Sequence, residues 1–481
     1  MTHSSRLITL CLTLVASVAT ALHVAAQSVV FDTDINSKQY YRIPVIVQLH
    51  DGRLLAIADD RHASNNDIGG NWGIDILGKT SHDGGKTWGT SLMIADGDGY
   101  RMGFSDSHGD AAAVVDRETG DILIMCASGS QGFLQSTLDN PLRVGRYTSA
   151  DNGLTWQESD VTSDIYGIFT DYPEVNALFF SSGRICQSTR IKQGSHYRIY
   201  SAVDGPMGVG CLVLYSDDLG QSWHALGGPG ARPTVTPFGD EAKVEELPNG
   251  NVLLSCRSKQ TSSNGRLFNI YDYATGSWAD MAVSNSPTRG TYSENCSCNG
   301  ELLIVPVLRT SDGLQMHLAL QSVPRGPGRQ RVSIYYKPLV DGADYDKPTD
   351  FSMGWQRYQV TDQYSAYSTM IAQRNGDIAF YWEDCNGNAD NSAYDLLFQL
   401  LSIETITDGK YSSAPPFGPP IPGDADGDGI ISIGDVVLLI DLIIDNCSVA
   451  DHEAADVDGD QMLTIADVVA LIDLLILSTN G

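Results

Sequence analysis

Two short acidic loops near the C-terminal end carry the most regular chemistry of this sequence. They begin at Asp424 and Asp456, 32 residues apart, and each places carboxylates at loop positions 1, 3, 5 and 12 and a backbone carbonyl at position 7. Oxygen ligands packed this closely repel one another without a cation, and the spacing matches an EF-hand-like calcium loop. We therefore predict two Ca²⁺ sites, with the candidate ligands Asp424, Asp426, Asp428, Ile430, Ser432 and Asp435, and Asp456, Asp458, Asp460, Met462, Thr464 and Asp467.

An apolar helical segment follows each loop, at residues 436–440 and 468–472. Segments this apolar exclude a solvated acidic tail, because a helix of this composition must bury one face. The second loop departs from the pattern at position 6, where Gln461 replaces the glycine that serves the sharp turn and that the first loop has as Gly429. This departure weakens the case for tight binding at the second loop.

Three other segments spell S-x-D-x-G-x-[TS]-W, beginning at Ser81, Ser149 and Ser216, 68 and then 67 residues apart. The Asp can accept backbone N–H groups, the Gly tolerates positive φ, and the Trp supplies an apolar plug, so each segment suits a hairpin turn. A near-constant period predicts a repeat architecture. We call these segments Asp boxes and expect their carboxylates to be structural.

Between the boxes lie strand-like runs with turn signals about every ten residues. Residues 27–410 accommodate six units of 64 residues, and Trp278 and Trp355 end degenerate boxes. The sequence predicts a six-bladed β-propeller with four antiparallel strands per blade. A Pro-rich linker is predicted at 411–422, and a small α-helical calcium-binding module at 423–478.

The N-terminal residues predict export. A basic start at Arg6, an apolar run and the small residues 24–26 form a signal peptide over 1–26, and no later segment reaches the roughly 18 apolar residues of a spanning helix. The mature protein is therefore expected to be secreted, with no transmembrane segment. A net charge of −29 argues against nucleic acid or an anionic membrane as partner.

Eight cysteines remain after Cys11 leaves with the signal peptide. Export permits disulfides, such as Cys296 with Cys298 or Cys126 with Cys186, but the sequence cannot assign a pairing. Buried free thiols are the favoured state for several of them, because a large core does not need disulfides.

Tyr41-Arg42-Ile43-Pro44, directly before a strand and combined with the boxes, resembles the opening motif of the bacterial sialidases (neuraminidases) of glycoside hydrolase family 33. The resemblance covers residues 30–405 and implies a propeller that holds the carboxylate of sialic acid with three arginines. Arg42, Arg257 and Arg329 match this triad, with Arg325 and Arg331 as close competitors for the third place. Planar guanidinium groups give the fixed, charge-assisted bonds that a carboxylate site needs.

The same resemblance implies the catalytic residues. Tyr367 matches the nucleophile, with Tyr364 as the alternative, and Glu241 matches the base that activates it. Asp67 matches the acid/base on a polar, Gly-rich loop, with Asp59 and Asp60 as rivals. Arg61 matches an arginine near the sugar's 4-hydroxyl group, and Glu383 matches a carboxylate that orients the first triad arginine. No cofactor is implied for catalysis.

The C-terminal segment 423–478 resembles a type I dockerin, which implies a cohesin domain as protein partner. The residues implied to face that partner are Ile433, Gly434, Ile465 and Ala466. A calcium-stabilised cap without a partner is the alternative.

The leading hypothesis is a secreted, retaining exo-α-sialidase that hydrolyses terminal α-linked sialic acid from glycoconjugates through a tyrosyl-glycosyl intermediate. A trans-sialidase or intramolecular-transfer sialidase would use the same residues. A non-catalytic sialic-acid-binding propeller would need only the arginines, so the presence of Asp67, Glu241 and Tyr367 argues against it.

Overall fold

A computed structural model describes residues 27–70, 72–98, 106–206, 208–231, 239–373, 375–414, 422–425, 431, 433–449 and 452–478. The predicted signal peptide lies outside these residues, as do positions 415–421 of the predicted linker. Four candidate ligands of the first acidic loop also lie outside them, namely Asp426, Asp428, Ile430 and Ser432.

The described strands form six separate sheets of four or five strands. The first sheet holds β2 (Gln39–Gln48), β3 (Leu54–His62), β4 (Ile74–Ser81) and β5 (Leu92–Ala95), and the sixth holds β1 (Ser28–Phe31), β25 (Ser365–Ala372), β26 (Ile378–Asp384) and β27 (Asp395–Leu401). The second holds β6 (His108–Val115), β7 (Ile122–Ser128), β8 (Arg143–Ser149), β9 (Gln157–Asp160) and β11 (Gly183–Arg184), and the third β10 (Phe179–Phe180), β12 (Cys186–Gln193), β13 (His196–Asp204), β14 (Cys211–Ser216) and β15 (His224–Ala225). The fourth holds β16 (Gly239–Glu246), β17 (Val252–Ser258), β18 (Arg266–Asp272), β19 (Ser277–Trp278) and β20 (Ala282–Ser284), and the fifth β21 (Leu302–Arg309), β22 (Gln315–Pro324), β23 (Val332–Leu339), β24 (Gln356–Gln359) and β28 (Tyr411–Ser413).

The helices are few and short: α1 (Thr162–Gly167), α2 (Pro348–Phe351), α3 (Ile403–Thr407), α4 (Ile433–Ile444) and α5 (Ile465–Ser478). Short 3₁₀ turns occur at Phe133–Gln135, Thr261–Ser263, Gly342–Asp344 and Glu453–Ala455. No helix among the described residues combines the length and apolarity needed to cross a membrane. The fold is therefore all-β, as predicted, with two longer helices near its C-terminal end.

Two details differ from the prediction of four antiparallel strands per sheet. Several sheets have a fifth strand, and β11 pairs with β6 in parallel. In addition, β28 pairs with β21, so the fifth sheet extends three residues into the segment predicted as linker.

Apolar clusters join each sheet to the next. The middle strands are buried on both faces, so their sequences run apolar without alternation, as in the fully buried β7. One cluster joins the sixth sheet back to the first. Residues that share a cluster across each successive sheet pair are Ile57 with Ile124, Leu123 with Leu214, Val213 with Leu254, Phe268 with Tyr335, Leu318 with Trp382, and Phe398 with Ala56.

The Asp boxes form the turns that follow β4, β8 and β14. In the first box the Asp83 carboxylate accepts the Thr87 N–H at 2.9 Å and the Thr87 hydroxyl at 2.6 Å, and the Ser81 hydroxyl accepts the Gly85 N–H at 2.8 Å. The boxes at Asp151 and Asp218 repeat these bonds. Each carboxylate is thus bonded within its own turn.

The eight described cysteines are free thiols, and seven of them are buried. This agrees with the expectation that the core needs no disulfides.

Candidate active site

One cavity of about 800 Å³ collects most of the residues that the sequence singles out. Strands supply four of them: Arg42 from β2, Glu241 from β16, Arg257 from β17 and Tyr367 from β25. Asp67 and Arg329 stand on the loops after β3 and β22. The predicted residues that line the cavity are Arg42, Asp67, Glu241, Arg257, Arg329 and Tyr367. Arg61 and Glu383 are buried, with exposures of 1% and 0%.

Register shifts in the strand pairing orient several of the cavity side chains. The register shifts between Arg42 and Val45, Gly109 and Ala112, Asp240 and Ala242, and Ser365 and Ser368. A β-bulge turns a side chain out of the regular alternation of a strand. Arg42 adjoins the first interruption, and Asp110, Glu241 and Tyr367 lie inside the others.

Tyr367 and Glu241 are joined by a short hydrogen bond. The Tyr367 hydroxyl lies 2.5 and 2.7 Å from the two carboxylate oxygens of Glu241, and Arg257 Nη1 donates to the same hydroxyl at 2.8 Å. Arg257 also pairs with Glu241, and its Nε donates to Ser297 Oγ at 2.8 Å. Burial raises the pKa of Tyr367 well above its ordinary value, an effect that Arg257 partly opposes. The phenol is therefore neutral at rest and holds its proton directly against a carboxylate.

Glu383 fixes Arg42 and Tyr367 at once. One of its oxygens accepts Arg42 Nε at 2.6 Å and the Ile43 N–H at 3.0 Å, and the other accepts the Tyr367 N–H at 3.0 Å. Burial alone would raise the pKa of Glu383, but Arg42 and these bonds hold it below its ordinary value. The direct bond to Arg42 thus supports the orienting role that the sequence implies for Glu383.

The third arginine position has three sequence candidates, and Arg329 is the one that lines the cavity. Its guanidinium carbon lies 5.3 Å from the centre of the Tyr367 ring, and that of Arg42 lies 5.5 Å from the same centre. Arg325 instead stacks on Tyr292 at 4.3 Å, and the Arg331 side chain donates to the Gly326 carbonyl. Three guanidinium groups, of Arg42, Arg257 and Arg329, therefore face one cavity around one phenol.

Asp67 stands on the loop between β3 and β4, with its side chain 82% exposed. Arg61 Nη1 donates to its carboxylate at 2.6 Å, and this guanidinium holds the pKa of Asp67 below its ordinary range. Asp59, a rival candidate for the acid, is fully buried behind Arg61 and accepts from its Nη2 at 2.9 Å. Burial raises the pKa of Asp59 to about 6 although Arg61 opposes the shift.

Asp60 and Tyr364, the rivals of Asp67 and Tyr367 in the sequence, stand outside the lining of the cavity. Asp60 accepts two bonds from Gln39 Nε2, at 3.2 and 3.0 Å, and Tyr364 is 44% exposed on the segment before β25. The structure thus brings Tyr367 and Asp67 to the cavity.

Sequence reasoning missed Asp110, which also lines the cavity. It has positive φ (56°), its N–H donates to Asp59 Oδ1 at 3.1 Å, and burial together with the Asp59 charge raises its pKa well above the ordinary value. His108-Gly-Asp110 carries no motif, and its one signal is structural, namely a bulge in β6 like those that carry Glu241 and Tyr367.

An apolar wall completes the cavity. Phe133 packs edge-on against Phe179 with ring centres 5.2 Å apart, and Leu134 beside it is 88% exposed. The cavity can therefore hold a carboxylate at its cationic side and apolar groups at the other.

Curated sialidases are similar to this chain. The chain is 33% identical over 235 residues to a sialidase of Micromonospora viridifaciens, covering 46% of this chain and 33% of that protein. It is 26% identical over 399 residues to a sialidase of Paraclostridium sordellii, covering 79% of this chain and 89% of that one. The chain spans a third of the length of the first relative and half of the length of a Clostridium perfringens sialidase that is 27% identical over 207 residues. A search of family models found no match.

Solved structures show the same fold. A Hadza microbial sialidase superposes with a TM-score of 0.60 at 22% identity, covering 79% of this chain and 69% of that one. The intramolecular trans-sialidase from Ruminococcus gnavus superposes with a TM-score of 0.61 at 15% identity, covering 79% of this chain and 98% of that one. The six sheets and their cavity therefore define a protein with the all-β sialidase fold. The named relatives support the sialidases as the family to which the chain is related.

Proposed function

We propose that this chain is a retaining exo-α-sialidase that hydrolyses terminal α-linked sialic acid from sialylated glycans. The observation that carries the proposal is the 2.5 Å contact between the Tyr367 hydroxyl and Glu241 inside a cavity lined by three arginines. Binding a carboxylate needs the arginines alone, whereas a phenol hydrogen-bonded to a carboxylate is suited to nucleophilic catalysis with proton removal.

In this proposal Arg42, Arg257 and Arg329 hold the sugar's carboxylate. Tyr367 attacks the anomeric carbon while Glu241 takes its proton. A neutral phenol suits this carbon, because the carboxylate attached to it would repel an anionic nucleophile, and sialidases are the tyrosine exception among glycosidases. The resulting tyrosyl-glycosyl intermediate is then hydrolysed by water, with retention.

Asp67 protonates the leaving oxygen and later activates water. In the free protein Arg61 favours its charged form. We infer that a sugar hydroxyl placed against Arg61 weakens this pair, which raises the pKa of Asp67 toward the value that an acid catalyst needs.

Hydrolysis of a fluorogenic α-sialoside tests the proposal. We expect turnover by the wild type, and Tyr367→Phe should lose about 100-fold or more in kcat while it still binds sialic acid. Full activity in Tyr367→Phe would reject the nucleophile assignment. A wild type that binds without turnover would instead support a sialic-acid-binding protein, and a transferred or anhydro product would support a trans-sialidase or intramolecular transfer.

We further propose that the six sheets close into a six-bladed propeller. The support is the cluster in which Ala56 of the first sheet packs with Phe398 of the sixth, which continues the series of clusters between successive sheets. Closure explains how blades distant in sequence supply one cavity.

We propose that the acidic loops bind two calcium ions. In the second loop, carboxylate oxygens of Asp456, Asp458 and Asp460 lie within 4.8 Å of one another, and Asp456 Oδ1 is buried without a hydrogen-bond partner. An orphaned carboxylate oxygen beside two other carboxylates fits a hard cation. Gln461 adopts positive φ (65°), which glycine would adopt without strain, so we expect the second site to be the weaker one.

We also propose that the C-terminal helices dock a cohesin domain. The support is a pair of exposed apolar stripes that repeat at the 32-residue offset of the loops, with α4 and α5 packed on each other through Leu439 and Leu471. The exposed residues are Ile433, Val437, Ile440 and Ile444 on α4, and Ile465, Val469, Ile472 and Ile476 on α5. Gly434, also implied to face the partner, is buried, and Ala466 beside Ile465 is exposed.

Calorimetry on the full chain tests the calcium and cohesin proposals. We expect calcium uptake at two sites, one of them lost in Asp456→Ala, and binding of a cohesin that a chelator abolishes. Absence of calcium uptake would reject both proposals, and calcium uptake without cohesin binding would favour a stabilising cap.

We propose that the protein is secreted after cleavage behind Ala26. N-terminal sequencing of protein recovered from the culture medium should begin at Gln27, and an intact Met1 would reject the proposal.

A further inference from the structure

The loop that carries Asp67 leans on a neighbouring turn through two glycines. Gly69 of the loop lies so close to Gly132 that a Cβ on Gly69 would meet the Gly132 Cα at 2.6 Å. In the opposite direction, a Cβ on Gly132 would meet the Ile68 carbonyl oxygen at 2.9 Å. The two backbones therefore touch where any side chain would hold them apart.

The turn at Gly132 is a firm support. Phe133 packs edge-on against Phe179 of β10, and Asn140 Nδ2 donates to Gln131 Oε1 at 2.8 Å. Ser136 Oγ donates to the Asn176 carbonyl at 2.8 Å. The turn is thus bonded to the segment before β10 and packs on β10 of the third sheet.

The loop itself is held on its N-terminal side by Asn65. This amide accepts from Arg42 Nη1 at 3.2 Å and donates to the Ser392 carbonyl at 3.0 Å. On the C-terminal side of Asp67, the close contact is the one between Gly69 and Gly132. The Gly70 N–H donates to the Asp67 carbonyl at 3.1 Å, a bond within the loop itself. The Asp67 backbone lies between the bonds of Asn65 and the contact with Gly132, while Arg61 Nη1 donates to its carboxylate at 2.6 Å.

We propose that Gly132 is a positioning residue for Asp67. Because Gly132 has no side chain, the Ile68–Gly69 backbone can contact the turn directly. This contact sets how far the Asp67 carboxylate reaches over the cavity. The inference rests on the proposed sialidase function, in which Asp67 protonates the leaving oxygen. Gly132 has φ −76° and ψ 156°, a conformation open to every residue, so the need for glycine comes from the contact and not from backbone strain.

The test is Gly132→Ala with two substrates in the same preparation. An alkyl α-sialoside needs protonation of its leaving group, whereas a 4-nitrophenyl α-sialoside has a leaving group that departs with little help. We expect kcat/KM to fall about tenfold for the alkyl sialoside and less than about twofold for the nitrophenyl one, because a misplaced acid slows only the reaction that needs it. The ratio of the two is independent of any unfolded fraction.

The matched control is Gly167→Ala, where the added Cβ meets nothing within 4 Å. It should leave both rates unchanged. An equal loss on both substrates in Gly132→Ala, or no loss, would overturn the inference. A wild type inactive on both substrates would instead remove the proposed function.

A second variant separates the loop from the turn itself. The Cβ of Gly132→Ala would also meet Gln135 Oε1 at 2.6 Å, a flexible group of the same turn. We expect Gln135→Ala added to Gly132→Ala to keep the loss on the alkyl sialoside, measured against Gln135→Ala alone. Restored activity would place the effect within the turn and overturn the inference.

Discussion

The pKa values of the aspartates in two Asp boxes are lowered, whereas those of Asp59 and Asp110 near the cavity are raised. The pKa of Asp151 is lowered to about 2, first by the Thr155 hydroxyl and then by its backbone N–H, and that of Asp83 likewise by Thr87. Burial raises the pKa of Asp59 to about 6 and that of Asp110 well above its ordinary value. The box carboxylates are solvated and bonded by neighbours in sequence, whereas those of Asp59 and Asp110 are desolvated and lie near other charged groups.

The difference separates a stabilising use of carboxylates from a chemical one. A carboxylate that its own turn satisfies is fixed in its charged form and has no tendency to exchange protons near neutral pH. A buried carboxylate near other charges titrates in a useful range or is held by one partner. The repeated residues therefore shape turns of three sheets, and unrepeated residues from several sheets line the cavity.

The largest expected effect comes from replacing Glu383, which bonds both Arg42 and Tyr367. In Glu383→Gln the amide cannot match the donors of Arg42, Ile43 and Tyr367, so a buried guanidinium loses its counter-charge. We expect kcat/KM to fall about 100-fold and the free energy of unfolding to fall by about 3 kcal/mol. Steady-state kinetics and urea unfolding measure the two effects.

Glu118→Gln is the control for Glu383→Gln, because Glu118 pairs with Lys192 at the surface at 2.8 Å. Such a pair contributes about 0–1 kcal/mol. Equal losses of kcat/KM and of unfolding free energy in both variants would mean that Glu383 has no special role.

A smaller effect follows from the raised pKa of Asp59. Between its ordinary value of 3.8 and about 6, the folded state binds more protons at this site than the unfolded state does. The contribution of Asp59 to stability therefore falls as pH rises through this window. We expect Asp59→Asn to remove this fall. Urea unfolding between pH 4 and 6.5 should then give curves of unfolding free energy against pH that differ in slope between the wild type and the variant. Parallel curves would contradict the shift.

The smallest effect is expected at the Asp boxes. Because the pKa of Asp151 is lowered to about 2, its contribution to stability is present above the ordinary value of 3.8 and is lost as pH falls toward 2. We expect Asp151→Asn to lower the melting temperature slightly at neutral pH and to leave kcat unchanged. The melting temperature of the variant should also fall less steeply than that of the wild type as pH falls toward 2. A fall in kcat comparable to that of Glu383→Gln would erase the distinction between box and cavity.

Several parts of this molecule were predictable because their signals are local. The box turns follow from Ser, Asp, Gly and Thr within eight residues, and the all-β class from strand-like runs between them. The motif resemblance selected Arg42, Glu241, Arg257 and Tyr367, which line one cavity. Arg329 could not be separated from Arg325 and Arg331 by sequence, because all three share one short segment and only their neighbours differ.

Local sequence was sufficient to predict the box turns and the strand-like runs, because the turns depend on bonds between residues a few positions apart. Contacts between distant parts of the chain decide which carboxylates are buried, which of the three candidate arginines lies beside Tyr367, and that Asp110 lines the cavity. The Tyr367–Glu241 bond links residues 126 positions apart, and the Arg42–Glu383 bond links residues 341 apart. Burial and charge are sums over everything that packs nearby, so they exist only once the sheets have come together.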